Sequence, residues 1–337
     1  MKVLHFTHTY QESNGVANYV ENLVKNTPPA YSCQVISSKG HSLPFFSSLK
    51  IPVGEFWTAL NSDFDVIHIH AYGNFFSFFG ALVSIIKRKP MVWSIYGYTY
   101  ITGWRKGMYY VYRYLMAPLI FWRAGAIAAV SHDAISKLRA ETKKEILFIP
   151  SGVDLDFFKP SGSYREQKNV CFVGRLDDDK QPERLLECKD RPLLFMGRDE
   201  DGKKERLKAA AESQKLDAKF IEVSREEVPG IYSSCRYVVL PSKYEGFPLT
   251  MLESLAMERP FIATDVGEVK STLAGLFREP DEFILGNDLG KTIESLEKKN
   301  LEPEMKAARR KLEQYSWASI AKRTAELYEK VSAGQKR

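Results

Sequence analysis

The sequence is poor in cysteine and holds no pattern typical of a metal or redox site. Its 337 residues include only Cys33, Cys171, Cys188 and Cys235, which lie far apart and form no Cys-x-x-Cys pair. This spacing argues against a zinc-finger or thioredoxin-like motif and favours four buried, reduced thiols in a cytosolic protein. No Gly-x-Gly sequence occurs either, which argues against a conventional dinucleotide oxidoreductase.

Long uninterrupted apolar segments are also missing. The most apolar stretch, 108–130, contains Arg113 and Arg123 and is split by Pro118, so a membrane-spanning helix is not expected. Residues 1–7 lack the apolar core of a secretory signal. We therefore expect a cytoplasmic protein. Because the apolar stretch mixes aromatic with basic residues, peripheral contact with the inner face of the membrane remains an alternative.

Neither sign of charge dominates the chain. The 48 basic and 42 acidic residues leave a net charge of +6, which is compatible with a phosphate-bearing ligand or a membrane surface but diagnostic of neither. We expect no nucleic-acid partner. The apolar fraction of 44% and the charged fraction of 27% are typical of a folded globular protein.

Short apolar runs alternate with helical patterns along most of the chain. The runs are continuous rather than alternating, which favours strands that are buried on both faces of a parallel sheet. A polar segment at 154–167 interrupts the pattern and is typical of an interdomain linker. The sequence therefore predicts two doubly wound α/β domains in series. The predicted strands are 2–7, 34–37, 65–70, 91–96, 126–131 and 146–150, then 170–174, 193–196, 220–223, 237–240 and 261–264.

The segment 240–260 carries the clearest chemical signal. A predicted strand ends at Leu240, and Pro248 is well placed to start a helix. The free N–H groups of such a helix start favour a phosphate, and Gly246 lets the backbone approach a ligand. Glu245 and Glu253 could accept hydrogen bonds from ribose or sugar hydroxyls. The alternative is a loop–helix junction with two ordinary surface glutamates.

This segment resembles the Glu-x7-Glu signature of retaining glycosyltransferase family 4, also called glycosyl transferases group 1. The resemblance implies the GT-B architecture, in which two Rossmann-like domains face each other across a cleft and a C-terminal helix crosses back to the first domain. It also implies that Glu245 contacts the donor sugar and Glu253 the ribose. The stretch expected to reach the sugar and the diphosphate comprises Gly246, Phe247, Pro248, Leu249 and Thr250.

A second match lies at 172–181, where the chain resembles the family's Gly-Arg-Leu-x-x-x-Lys element. It implies that Gly174, Arg175 and Lys180 lie at the donor diphosphate. Cations placed there would stabilise the negative charge that builds up as a nucleoside diphosphate leaves. The alternative is that Arg175 and Lys180 pair with the aspartates at 177–179 on the surface.

Two features of the first half depart from the family pattern. Where paired glycines usually approach the diphosphate, this chain has Asn14 and Gly15, which we expect to lie in the donor site. Many family members have a histidine where Tyr96 stands here. Tyr96 could bind a sugar or acceptor hydroxyl, although it is a poor general base at neutral pH; the alternative is a core aromatic residue at a strand end.

Metal binding is not expected from the sequence. Three Asp-x-Asp sequences, at 63–65, 154–156 and 177–179, lack the context of a metal site. His68 and His70 share one face of a predicted strand, but zinc would need further ligands. We expect His70 to contribute to a polar rim on the acceptor side.

Together these features predict a retaining glycosyltransferase. It would move a sugar from a nucleoside-diphosphate sugar, with UDP or GDP as the nucleotide, to a hydroxyl acceptor, without metal or cofactor. The acceptor could be a glycan, a lipid-linked molecule or a small molecule. A nucleotide-sugar 2-epimerase and a non-catalytic nucleotide-sugar-binding protein are the alternatives. We expect an acceptor-side domain at 1–160, joined by a C-terminal helix at about 316–333, and a donor-binding domain at 161–315.

Overall fold

The structure is a computed structural model that describes residues 1–10, 15–38, 52–70, 72–97, 110–199 and 202–334. Contacts between Cα atoms divide the chain into two compact units. The first unit comprises residues 1–151 and the segment that begins at Trp317, and the second comprises residues 152–316. Each unit is built around one parallel sheet.

The first unit contains six parallel strands in the order β2-β1-β3-β4-β5-β6. The chain leaves β1 toward β2 on one side and returns to β3 on the other, so β1 and β3 form the topological switch point. All residues of β3 and β4 are buried, as the continuous apolar runs predicted. The strands are β1 Lys2–Thr7, β2 Ser32–Ser37, β3 Val66–His70, β4 Met91–Ile95, β5 Ala126–Ala129 and β6 Ile146–Phe148.

Helices from the described parts of the chain accompany this sheet. The helix that ends at Arg123 is preceded by a π-helical turn at Tyr112–Met116. The helices are α1 Gly15–Asn26, α2 Val53–Asn61, α3 Phe75–Ile86, α4 Ala117–Arg123, α5 His132–Leu138 and, at the end of the chain, α12 Trp317–Gly334.

Helix α12 packs on the first sheet, although it follows the second unit in sequence. Its Tyr328 hydroxyl lies 2.7 Å from His68 Nδ1 in β3. Arg323 donates to the carbonyl oxygen of Phe148 at 2.6 Å, and the Trp317 ring lies edge-on to Tyr19 of α1 at 5.1 Å. The last helix is therefore part of the first unit's core, as the GT-B architecture implied.

The second unit contains five parallel strands in the order β11-β10-β7-β8-β9. Here β7 and β10 form the switch point, because the chain runs from β7 to β9 on one side and resumes with β10 on the other. The strands are β7 Asn169–Val173, β8 Leu193–Met196, β9 Ala218–Ile221, β10 Cys235–Leu240 and β11 Phe261–Ala263. The α-helices are α6 Lys203–Ser213, α7 Val228–Ser234, α8 Leu249–Ala256, α9 Val269–Leu276, α10 Leu289–Glu297 and α11 Glu302–Lys311.

The division between the units lies earlier than the predicted boundary at 160/161. Residues 152–160 pack within the second unit, since Arg309 donates to the carbonyl oxygens of Phe158 at 2.9 Å and Leu155 at 3.1 Å. Val153 donates its N–H to the Tyr315 carbonyl oxygen at 2.9 Å. Val153 and Phe158 are buried, which the polar composition of their surroundings concealed.

All eleven predicted strands are present, with ends that differ from the predicted ones by at most two residues. The sequence analysis singled out no pattern for helices α2 and α9, and the segment between β7 and β8 forms a 3-10 helix at Pro182–Glu187. Among the described residues, no helix has the length and apolarity that crossing a bilayer requires.

The expectation of four reduced thiols is wrong. A disulfide joins Cys171 in β7 to Cys235 in β10, whose Cα atoms are 5.8 Å apart, and Cys33 and Cys188 are free. The two bonded residues are 64 positions apart in sequence. Only the pairing of β7 with β10 brings them together, so spacing alone could not reveal the bond.

Close packing between two loops of the second unit gives a first prediction. A Cβ at Gly197 would overlap the carbonyl oxygen of Gly174. We expect Gly197→Ala to lower the free energy of unfolding of the second unit by about 1–3 kcal/mol, because the backbone must shift to admit the methyl group. Urea unfolding measures this change.

Gly230→Ala is the matched control, since a Cβ at this position in α7 meets no atom within 4 Å. It should leave stability unchanged or raise it by about 0.5–1 kcal/mol, as alanine favours a helix. Equal stabilities for the two variants would contradict the close approach at Gly197.

Candidate functional site

The predicted donor residues gather at the switch point of the second sheet. Gly174 and Arg175 directly follow β7, and the loop that leads to Glu245 follows β10. Strands β7 and β10 are hydrogen-bonded neighbours, so both segments leave the sheet at the same carboxyl edge. In open α/β sheets, ligands bind in the crevice at such a point.

An ion pair connects the two loops. Lys180 Nζ lies 2.5 Å from Glu245 Oε1, and the side chains of these residues are only 17% and 10% exposed. The Ser242 hydroxyl donates to the same carboxylate oxygen at 2.7 Å. Lys243 donates its N–H to the Asp179 carbonyl oxygen at 2.7 Å. The structure thus brings Lys180 and Glu245 together and adds Ser242, which the sequence reasoning missed.

The aspartates at 177–179 agree only in part with the alternative of a surface pairing. Arg175 does pair with Asp177, at 3.1 Å, and its side chain is 49% exposed. Lys180 instead uses its backbone N–H to bind Asp177 Oδ1, at 2.9 Å. Asp178 pairs with Lys203 Nζ at 2.6 Å. The buried Lys203 therefore helps to fix this loop, and no sequence signal marked it.

The loop before α8 is held by its backbone. Gly267 has a φ of +56°, and a Cβ there would overlap the carbonyl oxygens of Glu245 and Gly246. The Glu268 N–H donates to the Gly246 carbonyl oxygen at 3.2 Å. A glycine is therefore required at 267 both for its conformation and for space. The sequence reasoning did not single out this residue.

Helix α8 begins directly at this loop. Pro248 is its N-cap and provides no side-chain hydrogen bond to the helix, so the helix start keeps the anion-binding character of free N–H groups. Thr250 Oγ1 donates to the Val173 carbonyl oxygen at 3.3 Å and ties the helix to the end of β7. The buried Phe247 ring packs 6.0 Å from Tyr315. Leu249 is the first helical residue.

Glu253 lies one turn further along α8. Its Oε2 accepts a hydrogen bond from the Tyr232 hydroxyl at 2.7 Å, and burial raises the pKa of its carboxyl group. Tyr232 is fully buried, and its carbonyl oxygen accepts from Nε of the buried Arg259 at 3.1 Å. Tyr232 therefore holds the Glu253 carboxylate in place, and Arg259 in turn holds Tyr232. The sequence analysis predicted neither residue.

In the first unit, Tyr96 and His70 are brought together. The Tyr96 hydroxyl lies 2.5 Å from His70 Nδ1, at the carboxyl ends of β4 and β3. Gly15 is the first residue of α1, and a Cβ there would meet no atom of the described residues within 4 Å. Asn14 lies outside the described residues.

Three histidines form a cluster in the first sheet. His5 of β1 joins His68 and His70 of β3, and the three offer ring nitrogens within 4.8 Å of one another. Both nitrogens of His68 are already engaged, with the Tyr328 hydroxyl and the Ser94 hydroxyl at 2.7 Å each. This arrangement fits a network of hydrogen-bonded neutral imidazoles better than a set of metal ligands.

Comparisons with known proteins bear on the family and the fold of this chain. Residues 154–308 match the family described as "Glycosyl transferases group 1", and residues 26–157 match "Glycosyltransferase Family 4". The chain is 22% identical over 291 residues to a GDP-mannose:cellobiosyl-diphosphopolyprenol alpha-mannosyltransferase of Komagataeibacter xylinus, covering 80% of this chain and 72% of that protein. The Bacillus subtilis protein named "Putative teichuronic acid biosynthesis glycosyltransferase TuaC" is 31% identical over 168 residues, covering 44% of this chain and 40% of that protein.

Solved structures share the fold over the whole chain. Sucrose-phosphate synthase from Thermosynechococcus elongatus has a TM-score of 0.78 at 19% identity and 99% coverage of both chains. Anabaena HepE in complex with UDP has a TM-score of 0.78 at 16% identity, covering 98% of this chain and 100% of that one. The two family matches, together with two parallel sheets and the family's motifs at the switch point of the second sheet, identify this chain as an enzyme that transfers sugars, a GT-B glycosyltransferase of family 4.

Proposed function

We propose that this enzyme transfers a sugar from a nucleoside-diphosphate sugar to a hydroxyl acceptor with net retention at the anomeric carbon. The observation that carries the proposal is the pairing of Lys180 with Glu245 at 2.5 Å between the loops after β7 and β10. It joins a cation suited to a diphosphate with a carboxylate suited to sugar hydroxyls at one switch point.

The donor would bind along this edge of the second sheet. Arg175, Lys180 and the N–H groups at the start of α8 would hold the diphosphate. The half-buried Glu253 would accept the ribose hydroxyls through its carboxylate, and Glu245 would contact the sugar. Binding of UDP by HepE and the GDP-mannose named for the Komagataeibacter relative support a UDP or GDP donor.

Retention would follow from departure and attack on the same face of the sugar, through an oxocarbenium-like state. The leaving phosphate would itself accept the proton of the acceptor hydroxyl, so the reaction would need neither a carboxylate nucleophile nor a metal or cofactor. Fixed cations at the leaving group would lower the barrier as negative charge builds up there.

The role of Glu253 predicts a loss of nucleotide affinity in Glu253→Ala. We expect the Kd of the preferred nucleotide among UDP, GDP and ADP to rise about tenfold to a hundredfold, because two hydroxyls lose a charged acceptor. Calorimetric titration with and without magnesium measures it. Glu212→Ala, which removes an exposed glutamate of α6, should leave the Kd unchanged; an unchanged Kd in Glu253→Ala would refute the ribose contact.

The cations should act mainly on turnover. We expect Arg175→Ala and Lys180→Ala each to lower kcat about a hundredfold or more, since each removes charge stabilisation from the leaving diphosphate. The measurement is release of the nucleoside diphosphate from UDP-glucose, UDP-galactose or GDP-mannose, with product analysis to detect transfer, epimerisation or binding without turnover. Lys208→Ala, on the exposed face of α6, is the control. Wild-type kcat in both site variants would rule out the assignment.

We further propose a lipid-linked acceptor and peripheral contact with the inner face of the membrane. Of the ten exposed large hydrophobic side chains in the described parts of the chain, nine belong to the first unit. The most exposed are Trp57, Tyr114, Leu115 and Trp122, at 60–72%. Exposed apolar side chains of this size mark interaction surfaces.

Basic groups lie beside these side chains. Arg123 follows Trp122 in α4. Lys144, which lies after α5, donates from Nζ to the Trp122 carbonyl oxygen at 2.8 Å. Exposed aromatic residues next to basic ones suit an anionic lipid surface. Two relatives act on diphosphopolyprenol-linked acceptors by their names, one from Komagataeibacter xylinus and one from Escherichia coli.

This surface predicts binding to anionic vesicles. We expect Leu115→Ser with Trp122→Ser to weaken sedimentation with phosphatidylglycerol vesicles about tenfold, because two exposed apolar side chains are lost. Tyr244→Ser, in the exposed hydrophobic position of the second unit, is the control. Equal sedimentation of all forms, or none by the wild type, would refute membrane contact.

A further inference from the structure

A buried chain of hydrogen bonds in the first unit ends at Tyr96. His5 Nδ1 lies 2.8 Å from His70 Nε2, and His70 Nδ1 lies 2.5 Å from the Tyr96 hydroxyl. Both histidines are fully buried, whereas Tyr96 is half-buried just after β4. The chain therefore leads from the interior of the sheet to its carboxyl edge, where ligands bind in open α/β sheets.

All three groups are neutral at neutral pH. Burial lowers the pKa of His5 to about 3 and lowers the pKa of His70 well below its ordinary value. Burial also raises the pKa of Tyr96 well above its ordinary value. A neutral imidazole has one N–H and one lone pair. Each histidine can therefore donate a hydrogen bond through one ring nitrogen and accept one through the other. All bonds of the chain consequently point the same way from donor to acceptor, either toward His5 or toward Tyr96.

The free nitrogen of His5 determines that direction. His5 Nε2 is buried, and no hydrogen-bond partner for it exists within the described residues. If the bonds ran toward His5, this nitrogen would carry a buried N–H without an acceptor. If they run toward Tyr96, it carries only an unused lone pair. A buried N–H group without an acceptor is rarer than a buried lone pair without a donor. The arrangement in which the bonds point toward Tyr96 is therefore favoured.

The direction of these hydrogen bonds determines whether Tyr96 acts as a donor or as an acceptor. In this arrangement the Tyr96 oxygen accepts the N–H of His70. Because the Tyr96 oxygen already accepts this hydrogen bond, the O–H of Tyr96 stays available to donate to a partner outside this series of hydrogen bonds. A neutral phenol in this state is a donor and not a base.

We propose that the chain from His5 through His70 makes Tyr96 a directed hydrogen-bond donor to a hydroxyl oxygen of the bound sugar substrate. Tyr96 would touch the substrate, while His70 and His5 are positioning residues that act through it. The proposal rests on the proposed function for its substrate, but the direction of the chain is a property of the protein alone.

The direction is measured without substrate. Two-bond proton–nitrogen NMR spectra of the 15N-labelled protein report which ring nitrogen of each of its six histidines carries the proton. Spectra of His5→Asn and His70→Asn assign the signals. We expect His5 and His70 to be protonated on Nδ1 and to stay neutral from about pH 8 to about pH 5, although an ordinary histidine titrates in that range. A proton on Nε2 of His70 would overturn the proposal.

The contact with substrate is measured by kinetics. We expect Tyr96→Phe to lower kcat/KM for the nucleotide sugar that the wild type consumes by about threefold to tenfold, the effect of one lost neutral hydrogen bond. Tyr19→Phe is the control, because the Tyr19 ring is also buried and packs 4.7 Å from Tyr96 but lies outside the chain. Equal kcat/KM for the wild type and Tyr96→Phe would overturn the substrate contact.

Two variants of His70 separate positioning from packing. Asn can place an N–H donor near the former Nδ1, so His70→Asn should keep kcat/KM within about twofold of the wild type. His70→Leu keeps a similar side-chain volume but removes the N–H donor. Its kcat/KM should therefore fall to that of Tyr96→Phe. Equal losses in both would show a merely structural role. If the wild type consumes none of UDP-glucose, UDP-galactose and GDP-mannose, the proposed function fails, and the NMR result still decides the direction of the chain.

Discussion

Parallel pairing of β7 with β10 is the constraint on which the second unit's site depends. These strands are far apart in sequence, and their pairing makes the loops after them leave the sheet side by side. Lys180 and Glu245 can therefore form an ion pair, and Thr250 can bond the end of β7. Gly197 and Gly267, which follow the neighbouring strands β8 and β11, pack against the backbone of these two loops, so a Cβ at either position would overlap a carbonyl oxygen.

The first unit uses its sheet in a different way. Its switch point between β1 and β3 holds three histidines on one face, covered by Tyr328 of α12. Buried polar groups are costly unless they are hydrogen-bonded, and this layer satisfies nearly all of its groups internally. The result is a rigid polar layer beneath Tyr96. A chain of this kind transmits a hydrogen-bond direction from the interior to the surface without carrying charge.

Much of the fold could be predicted from local patterns. Mostly continuous apolar runs predicted all eleven strands, since the strands of a parallel sheet covered on both faces are predominantly apolar. Helix α2 was missed, as was the burial of Val153 just before the polar segment 154–167 and of Phe158 within it, because neither region shows a long apolar period. The disulfide between Cys171 and Cys235 was also missed, since a bond across two strands leaves no mark in sequence spacing.

The sequence by itself determined the strand and helix pattern, the family and the residue types available at the donor site. Glu245, Glu253, Arg175 and Lys180 could be named because short motifs hold their chemistry within a few residues. Tertiary structure alone decided which groups meet. It paired Lys180 with Glu245, placed Tyr232 behind Glu253, and joined His5 to His70. These contacts link residues that are separated by many positions in sequence, so only the pairing and packing of the strands and helices could bring them together.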